Sequence, residues 1–164
     1  ILEAWKFVEQ DRRFEDWKLQ IVGDGEDRKL YENIVQKDSL QRVEMLGFKQ
    51  PLPYYNKAKV FLMTSAFEGF AMTLGEAQQN GVALLVMDSY ASLHEIVEDG
   101  DNGLLVKDGD VAEFTEKLKM LLKDDTLRNR LADKGLLTCQ RFTVGKVVDK
   151  WEMIYNSLIN NKQL

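Results

Sequence analysis

Cysteine, histidine and proline are scarce in this chain of 164 residues, which has one cysteine (Cys139), one histidine (His94) and two prolines. A single cysteine excludes an internal disulfide, and it fits a reducing, cytoplasmic setting. A zinc site would have to rest almost wholly on carboxylates, which is unusual. We therefore expect no metal site, and we expect His94 to be a structural or surface residue.

Long apolar runs are also missing, since none approaches the roughly 20 residues that a membrane-spanning helix needs. No signal-peptide pattern opens the chain. The net charge of −5 argues against a nucleic acid or an anionic membrane as the main partner. The first residues after Ile1 read as the middle of a helix, so we expect a piece of a longer protein.

The rest of the sequence alternates short apolar runs with helical patterns, and two of these runs, at 60–63 and 83–87, are continuously apolar. Continuous runs favour strands that are covered on both faces, as in a parallel sheet between helices. The sequence predicts an α/β fold, a Rossmann-like doubly wound parallel sheet, as one domain over residues 1–164. The predicted strands are 18–22, 42–46, 59–63, 83–87 and 104–106. The predicted helices are 1–10, 27–37, 52–58, 71–80, 92–98, 111–123, 125–139 and 144–160.

Ligands of doubly wound folds bind at the carboxyl ends of the strands. Here those ends carry small or polar residues, which suit a crevice for a polar ligand. They are residues 23–25, 47–48, 64–65 and 88–89.

The segment 64–76 carries the strongest chemical signal. A strand enters a loop that contains Gly69, and a helix follows within about three residues. The first amides of a helix have no partners inside it, and the helix dipole favours an anion there. A diphosphate is a natural occupant, and Gly69 lets the backbone approach it closely.

Glu68 and Glu76 flank this helix start, eight residues apart. In a continuous helix that spacing is about 12 Å, whereas the carboxyl pair of a glycosidase lies roughly 5–9.5 Å apart. They are therefore better placed to hold opposite ends of an extended ligand, Glu68 at a sugar and Glu76 at ribose hydroxyls. From spacing alone, solvated carboxylates near a favourable dipole remain an equal alternative.

The pattern Glu-Gly-Phe-x-x-x-Leu-x-Glu-Ala at 68–77, after an apolar strand ending in Thr-Ser, resembles the Glu-x7-Glu motif of retaining GT-B glycosyltransferases. That family is glycosyltransferase family 4, the "glycosyl transferases group 1" type. Residues 21–25, 42–48 and 95–106 match further family segments in the same order. The resemblance covers most of 18–123, and the family also has a helical tail, here 111–160. It implies the C-terminal, donor-binding half of a GT-B fold.

The resemblance implies a role for each matching residue. Glu68 would be the catalytic residue, in contact with the donor sugar near its reacting carbon. Glu76 would bind the ribose. The remaining donor-binding positions would lie at the sugar, the diphosphate and the base, and they are Gly69, Phe70, Ala71, Met72, Thr73, Leu74, Gly47 and Phe48.

The implied chemistry is retaining hexosyl transfer from a UDP- or GDP-sugar, with no cofactor and no metal. The acceptor would be a glycan, a polysaccharide or a lipid-linked sugar of the cell envelope, held by an N-terminal domain. Full-length members of the family often lie at the inner face of the membrane.

Several departures from the family pattern are visible. Ala71 and Ala83 stand where the family often has glycine and proline, and residues 90–94 replace a Gly-Gly-x-Pro turn. Tyr90 or Ser92 could therefore tune the choice of sugar.

The family's first, central strand, with its phosphate-neutralising Arg and Lys, would precede Ile1. Its absence would leave two half-sheets with unpaired edges. We expect the isolated chain to be poorly stable and inactive.

Two other classes of protein remain as alternatives. A nicotinamide-binding domain would need a complete Gly-x-Gly-x-x-Gly motif, of which residues 23–25 supply half. A non-catalytic module could bind a partner through its last helix, where Val147, Trp151, Ile154 and Leu158 form an apolar stripe. The usual interpretation of such a stripe is packing on its own domain, but if the helix has lost a partner, an exposed apolar patch is expected.

Overall fold

A computed structural model describes residues 1–160 of the chain. Its five strands are β1 (Leu19–Val22), β2 (Val43–Gly47), β3 (Val60–Met63), β4 (Ala83–Asp88) and β5 (Leu104–Lys107). Its α-helices are α1 (Leu2–Glu9), α2 (Arg28–Lys37), α3 (Leu52–Tyr55), α4 (Met72–Gln79), α5 (Val111–Lys123), α6 (Asp125–Thr138) and α7 (Val144–Asn160). Three 3-10 helices lie at Arg12–Phe14, Ala91–Glu95 and Cys139–Phe142.

The strands form two parallel sheets, one of β1 and β2 and the other of β3, β4 and β5. Leu19 pairs with Val43 in the first sheet, and Val60 pairs with Ala83 in the second. Within residues 1–160, no backbone hydrogen bond joins the two sheets. The α/β class, the parallel strands and the division into two half-sheets were predicted and are confirmed.

β4 is the central strand of the larger sheet, and residues 83–86 are completely buried. Its side chains alternate between two cores, as the pleat of a strand requires. Ala83 and Leu85 belong to a core with α1, α5 and α6, whereas Leu84 and Val86 belong to a core with α4. The continuous apolar run at 83–87 was correctly interpreted as a strand covered on both faces.

The first core also links the two half-sheets. Leu2, Trp5 and Val8 on one face of α1 are buried in it, together with Leu19 of β1 and Leu85 of β4. The two sheets are thus held together by apolar packing against α1 and α5 rather than by a shared strand.

One predicted element differs in type. The sequence predicted an α-helix over 92–98, but the structure has a 3-10 helix at Ala91–Glu95. The side chain of buried Asn102 accepts a hydrogen bond from the Glu98 amide (2.7 Å) and donates to the Ile96 carbonyl (3.0 Å). These bonds take the backbone groups that would have extended a helix.

The other predicted boundaries are close to those observed. The predicted helix 52–58 is shorter, ending at Tyr55, and the last strand runs one residue further, to Lys107. Residues 161–164, the end of the predicted single domain, lie outside the described residues.

The apolar stripe of α7 is exposed and does not pack on its own domain, which agrees with the alternative of a helix without its partner. Val147, Trp151, Ile154 and Leu158 are all more than a third exposed. No helix among the described residues is long and apolar enough to cross a membrane.

Gly103 provides a test of the packing around β4. A Cβ atom there would lie 2.7 Å from Cγ1 of Val97 and 3.2 Å from Cβ of Leu84, both in the buried core. We predict that Gly103→Ala lowers the free energy of unfolding by about 1–3 kcal/mol, the usual cost of overpacking a core.

The measurement is urea denaturation. Gly145→Ala is the control, because a Cβ atom at that position of α7 would meet no atom within 4 Å. A Gly103→Ala variant as stable as the wild type would show that Leu84 and Val97 pack against Gly103 more loosely than described.

Candidate functional site

The predicted site lies where β3 ends and α4 begins. β3 ends at Met63, a loop of eight residues follows, and α4 starts at Met72. A hydrogen bond holds the start of this loop, since Ser89, just after β4, donates from its hydroxyl to the Ser65 carbonyl. The loop thus lies at the carboxyl edge of the larger sheet, where doubly wound folds bind ligands.

The start of α4 has no side-chain cap, because its N-cap residue is Ala71. By contrast, α5 and α6 are capped by aspartates, and the Asp110 and Asp124 carboxylates accept from the amides of Glu113 and Leu127. Ala71 cannot do this, because a methyl side chain accepts no hydrogen bond. The first turn of α4 is thus open to an external acceptor.

The individual amides of this turn fall into two groups. Met72 donates to the Phe70 carbonyl (2.8 Å), and Leu74 donates to the Ala71 carbonyl (3.0 Å). The amides of Phe70, Ala71 and Thr73 have no protein acceptor among residues 1–160. The three amides that can take an external anion are therefore those of Phe70, Ala71 and Thr73, and the Met72 amide is engaged within the chain.

The side chains around this turn are divided between the core and solvent. Leu74 is completely buried and Ala71 is 2% exposed, so both anchor the helix in the core that it shares with β4. Met72 and Thr73 are exposed. The ring of Phe70 packs edge-to-face on Phe142, with 5.2 Å between ring centroids. Leu74 can therefore contribute to a surface site only through its backbone.

Gly69 is exposed at the tip of the loop, and packing does not explain why it is a glycine. A Cβ atom there would meet no atom within 4 Å, and its backbone does not have the positive φ that favours glycine. An absent side chain at this point is most useful if a ligand approaches the backbone closely.

Glu68 and Glu76 lie on opposite sides of this turn, and both are half-buried. Tyr90 is buried beneath the loop and donates to the sulfur of Met63 (3.4 Å). Burial, and next the nearby charge of Glu68, raise the pKa of Tyr90. The role suggested for Tyr90 in the choice of sugar stays a prediction. The Ser92 hydroxyl, also suggested for that role, is buried without a partner among residues 1–160.

Glu76 has a partner that sequence reasoning missed. The Tyr55 hydroxyl lies 3.2 Å from Oε2 of Glu76 and 3.4 Å from the Thr73 carbonyl. Burial, and then the Glu76 charge, raise the pKa of Tyr55 to about 12. Tyr55 is 8% exposed, and no sequence pattern indicated its contact with a glutamate 21 residues away.

Gly47 and Phe48 lie at the end of β2, in the other sheet. Gly47 has a φ of +68°, and a Cβ atom there would lie 2.8 Å from Nη1 of Arg28. Phe48 is 82% exposed. Within the described residues no hydrogen bond joins this pair to α4.

A depression of about 610 Å³ lies at the carboxyl ends of β4 and β5. Four of its side chains contact each other in pairs, since Lys117 lies 2.9 Å from Glu113 and His94 lies 2.9 Å from Asp88. His94 is exposed there, as predicted. Among residues 1–160, no group of three or more His, Cys, Asp or Glu residues is arranged to hold a metal ion.

Comparison with solved structures defines the class of protein. The fold superposes on S. aureus TarM with a TM-score of 0.86 at 20% identity, over 94% of this chain and 32% of TarM. HepE from Anabaena gives a TM-score of 0.82 at 23% identity, over 95% of this chain and 44% of HepE. The C-terminal domain of LpcC, a group 1 glycosyl transferase from Francisella tularensis, gives 0.76 at 23% identity, over 87% and 77% of the two chains. The fold is that of the C-terminal half of a GT-B glycosyltransferase.

The sequence matches the family "Glycosyl transferases group 1" over residues 1–137, and the chain belongs to that family. It is 24% identical to an uncharacterized glycosyltransferase of Haemophilus influenzae, over 94% of this chain and 44% of that protein. It is 30% identical to the amylovoran biosynthesis glycosyltransferase AmsD of Erwinia amylovora, over 95% of this chain and 43% of AmsD. The chain thus spans less than half the length of these relatives. The predicted family is confirmed.

The Tyr55–Glu76 contact predicts how stability responds to alkaline pH. The pKa of Tyr55 is raised in the folded chain, so its stabilising effect is complete below pH 10 and is lost as pH rises toward 12. The Tyr55→Phe variant has no titrating group at position 55. Between pH 10 and pH 12 the wild type should therefore lose about 1–2 kcal/mol of unfolding free energy relative to Tyr55→Phe.

Urea denaturation at pH 9, 10, 11 and 12 measures this difference. Tyr54→Phe, on the same short helix, is the matched control. A wild type and a Tyr55→Phe variant that lose stability in parallel over this range would contradict the buried contact.

Proposed function

We propose that this chain is the donor-binding domain of a retaining, metal-independent glycosyltransferase. It holds a UDP- or GDP-linked sugar at the start of α4. The acceptor is a glycan, a polysaccharide or a lipid-linked sugar, and an N-terminal domain of the full-length protein holds it. The proposal extends the family membership to a substrate class and to named residues.

The observation that carries the proposal is the open first turn of α4. Three amides without protein acceptors, those of Phe70, Ala71 and Thr73, lie at the carboxyl edge of the sheet beside exposed Gly69. Backbone amides and the helix dipole can hold a diphosphate without a basic side chain. This agrees with a chain whose net charge is −5.

The two glutamates bind opposite ends of the donor. Glu76 accepts hydrogen bonds from ribose hydroxyls, in the role that acidic residues have in dinucleotide sites. Glu68 contacts the sugar near its anomeric carbon. Phe48, exposed at the end of β2, lies beside the base.

The chemistry follows from where charge develops. When the bond between the anomeric carbon and the diphosphate oxygen breaks, negative charge grows on the diphosphate. Amides already aimed at that position stabilise the charge without reorganising. The acceptor hydroxyl oxygen then bonds to the same face of the anomeric carbon, and its proton passes to the departing diphosphate oxygen.

The names and bound ligands of similar proteins support the donor and acceptor classes. HepE is described in complex with UDP-glucose, and TarM in complex with UDP. A relative in Campylobacter jejuni, 28% identical, transfers N-acetylgalactosamine to an undecaprenol-linked sugar. AmsD serves amylovoran biosynthesis. We extend these substrate classes to this chain because it has the same fold and family.

The first experiment separates the two glutamates in the full-length protein. We predict that Glu76→Gln raises the Kd for UDP or GDP about tenfold, the effect of losing a hydrogen bond to a charged group. Glu68→Gln should leave the Kd for the nucleoside diphosphate unchanged, since this ligand has no sugar, but should lower kcat for transfer.

Isothermal titration calorimetry with UDP, GDP and ADP measures the first effect, and product formation from the corresponding sugars measures the second. Glu116→Gln is the control, because the Glu116 side chain on α5 is 78% exposed. A folded wild type that binds none of these nucleotides would reject the proposal and favour a partner-binding module.

The isolated chain of residues 1–164 should be catalytically inactive. The acceptor-holding domain and the phosphate-neutralising cations implied by the family lie outside these residues, and the two half-sheets share no strand. The measurement is product formation from a UDP- or GDP-sugar, with the full-length protein as the positive control. Turnover by the isolated chain would show that these residues suffice.

A further inference from the structure

Tyr55 links the short helix before β3 to the first turn of α4. It is the last residue of α3 and is 8% exposed. Its ring packs against Phe61 of β3, with 5.9 Å between ring centroids. The ring is thus fixed by the core, and only the hydroxyl extends toward α4.

The direction of the Tyr55 hydrogen bond follows from the chemistry of its neighbours. A phenol has one proton to donate, and both neighbours, the Glu76 carboxylate and the Thr73 carbonyl, are acceptors. The carboxylate oxygen is nearer, at 3.2 Å against 3.4 Å, and it is charged, so it is the stronger acceptor. A phenol is protonated at neutral pH, and burial and the charge of Glu76 raise the pKa of Tyr55 further, to about 12.

The hydrogen bond makes the two carboxylate oxygens of Glu76 different from one another. Oε2 accepts from Tyr55, whereas Oε1 accepts no hydrogen bond from residues 1–160. A free glutamate would lose rotamer freedom on binding a ligand. Because one oxygen is already fixed by a buried ring, that entropy is lost on folding and need not be lost on binding.

We propose that Tyr55 is the positioning residue that orients Glu76, so that Oε1 is presented to the ribose hydroxyls of the donor. The inference rests on the proposed function, since it assigns a support to the ribose contact of the same site. Tyr55 acts through Glu76 and does not itself touch the donor.

The experiment compares two nucleotides that differ only at the ribose. UDP and 2′,3′-dideoxyuridine diphosphate share the base and the diphosphate, but only UDP has the hydroxyls that Glu76 would bind. Binding of both is measured by calorimetry for the full-length wild type and for Tyr55→Phe, Glu76→Gln and Tyr54→Phe. If GDP binds more tightly than UDP, the guanosine pair is used. Tyr55→Phe keeps the buried ring and removes only the hydroxyl.

We expect Tyr55→Phe to raise the Kd for UDP about five- to tenfold and to leave the Kd for the dideoxy nucleotide unchanged within about twofold. In the double variant with Glu76→Gln, the two losses should not add, because both remove the same contact. Tyr54→Phe should bind both nucleotides as the wild type does.

Two results would overturn the inference. Tyr55→Phe could bind UDP as tightly as the wild type, or it could lose affinity equally for both nucleotides, which would mean that the hydroxyl only supports the fold. If Glu76→Gln still weakens UDP binding selectively in either case, the proposed function survives and only the role of Tyr55 fails. A wild type that binds neither nucleotide rejects both.

Discussion

The burial of β4 on both faces is the constraint on which the rest of the structure depends. Residues 83–86 are completely inaccessible to solvent, so every backbone polar group along them must be paired. β3 and β5 supply those pairs, in register at Val60 with Ala83 and at Leu85 with Leu104. The pairing places the carboxyl ends of three strands along one edge. The loop that leads into α4 starts from that edge.

The position of α4 follows from the same constraint. The core formed by one face of β4 includes Ala71, Leu74 and Ala77 of this segment. These contacts hold the first turn of α4 at the edge of the sheet without using its amides. An alanine at the N-cap therefore costs the helix a hydrogen bond, but it leaves the amides available. In α5 and α6, which carry no proposed ligand, aspartates satisfy the same positions.

Much of this arrangement could be predicted from the sequence, because its signals are local. The continuous apolar run at 83–87 gave the buried strand, and the helical pattern at 1–10 gave α1. The motif from Glu68 to Glu76 gave the loop, the helix and the family. The apolar stripe on α7 also followed from spacing, since Trp151 and Ile154 recur at helical intervals, but its exposure did not, because such a stripe usually packs on its own domain.

The remainder depends on contacts between residues far apart in the chain. After β4, the Asn102 side chain bonds to the Glu98 amide and the Ile96 carbonyl, and the helix propensities of these residues do not predict those bonds. Tyr55 reaches Glu76 only because α3 and α4 pack on the same core. The two engaged amides, those of Met72 and Leu74, are set by the turn before the helix, so spacing alone could not separate them from the three open ones.

The most direct test of the account is a crystal structure of the full-length protein with UDP. We predict that the diphosphate lies within hydrogen-bonding distance of the amides of Phe70, Ala71 and Thr73, with the ribose hydroxyls at Oε1 of Glu76. A UDP molecule bound elsewhere, with those three amides uncontacted, would contradict the account.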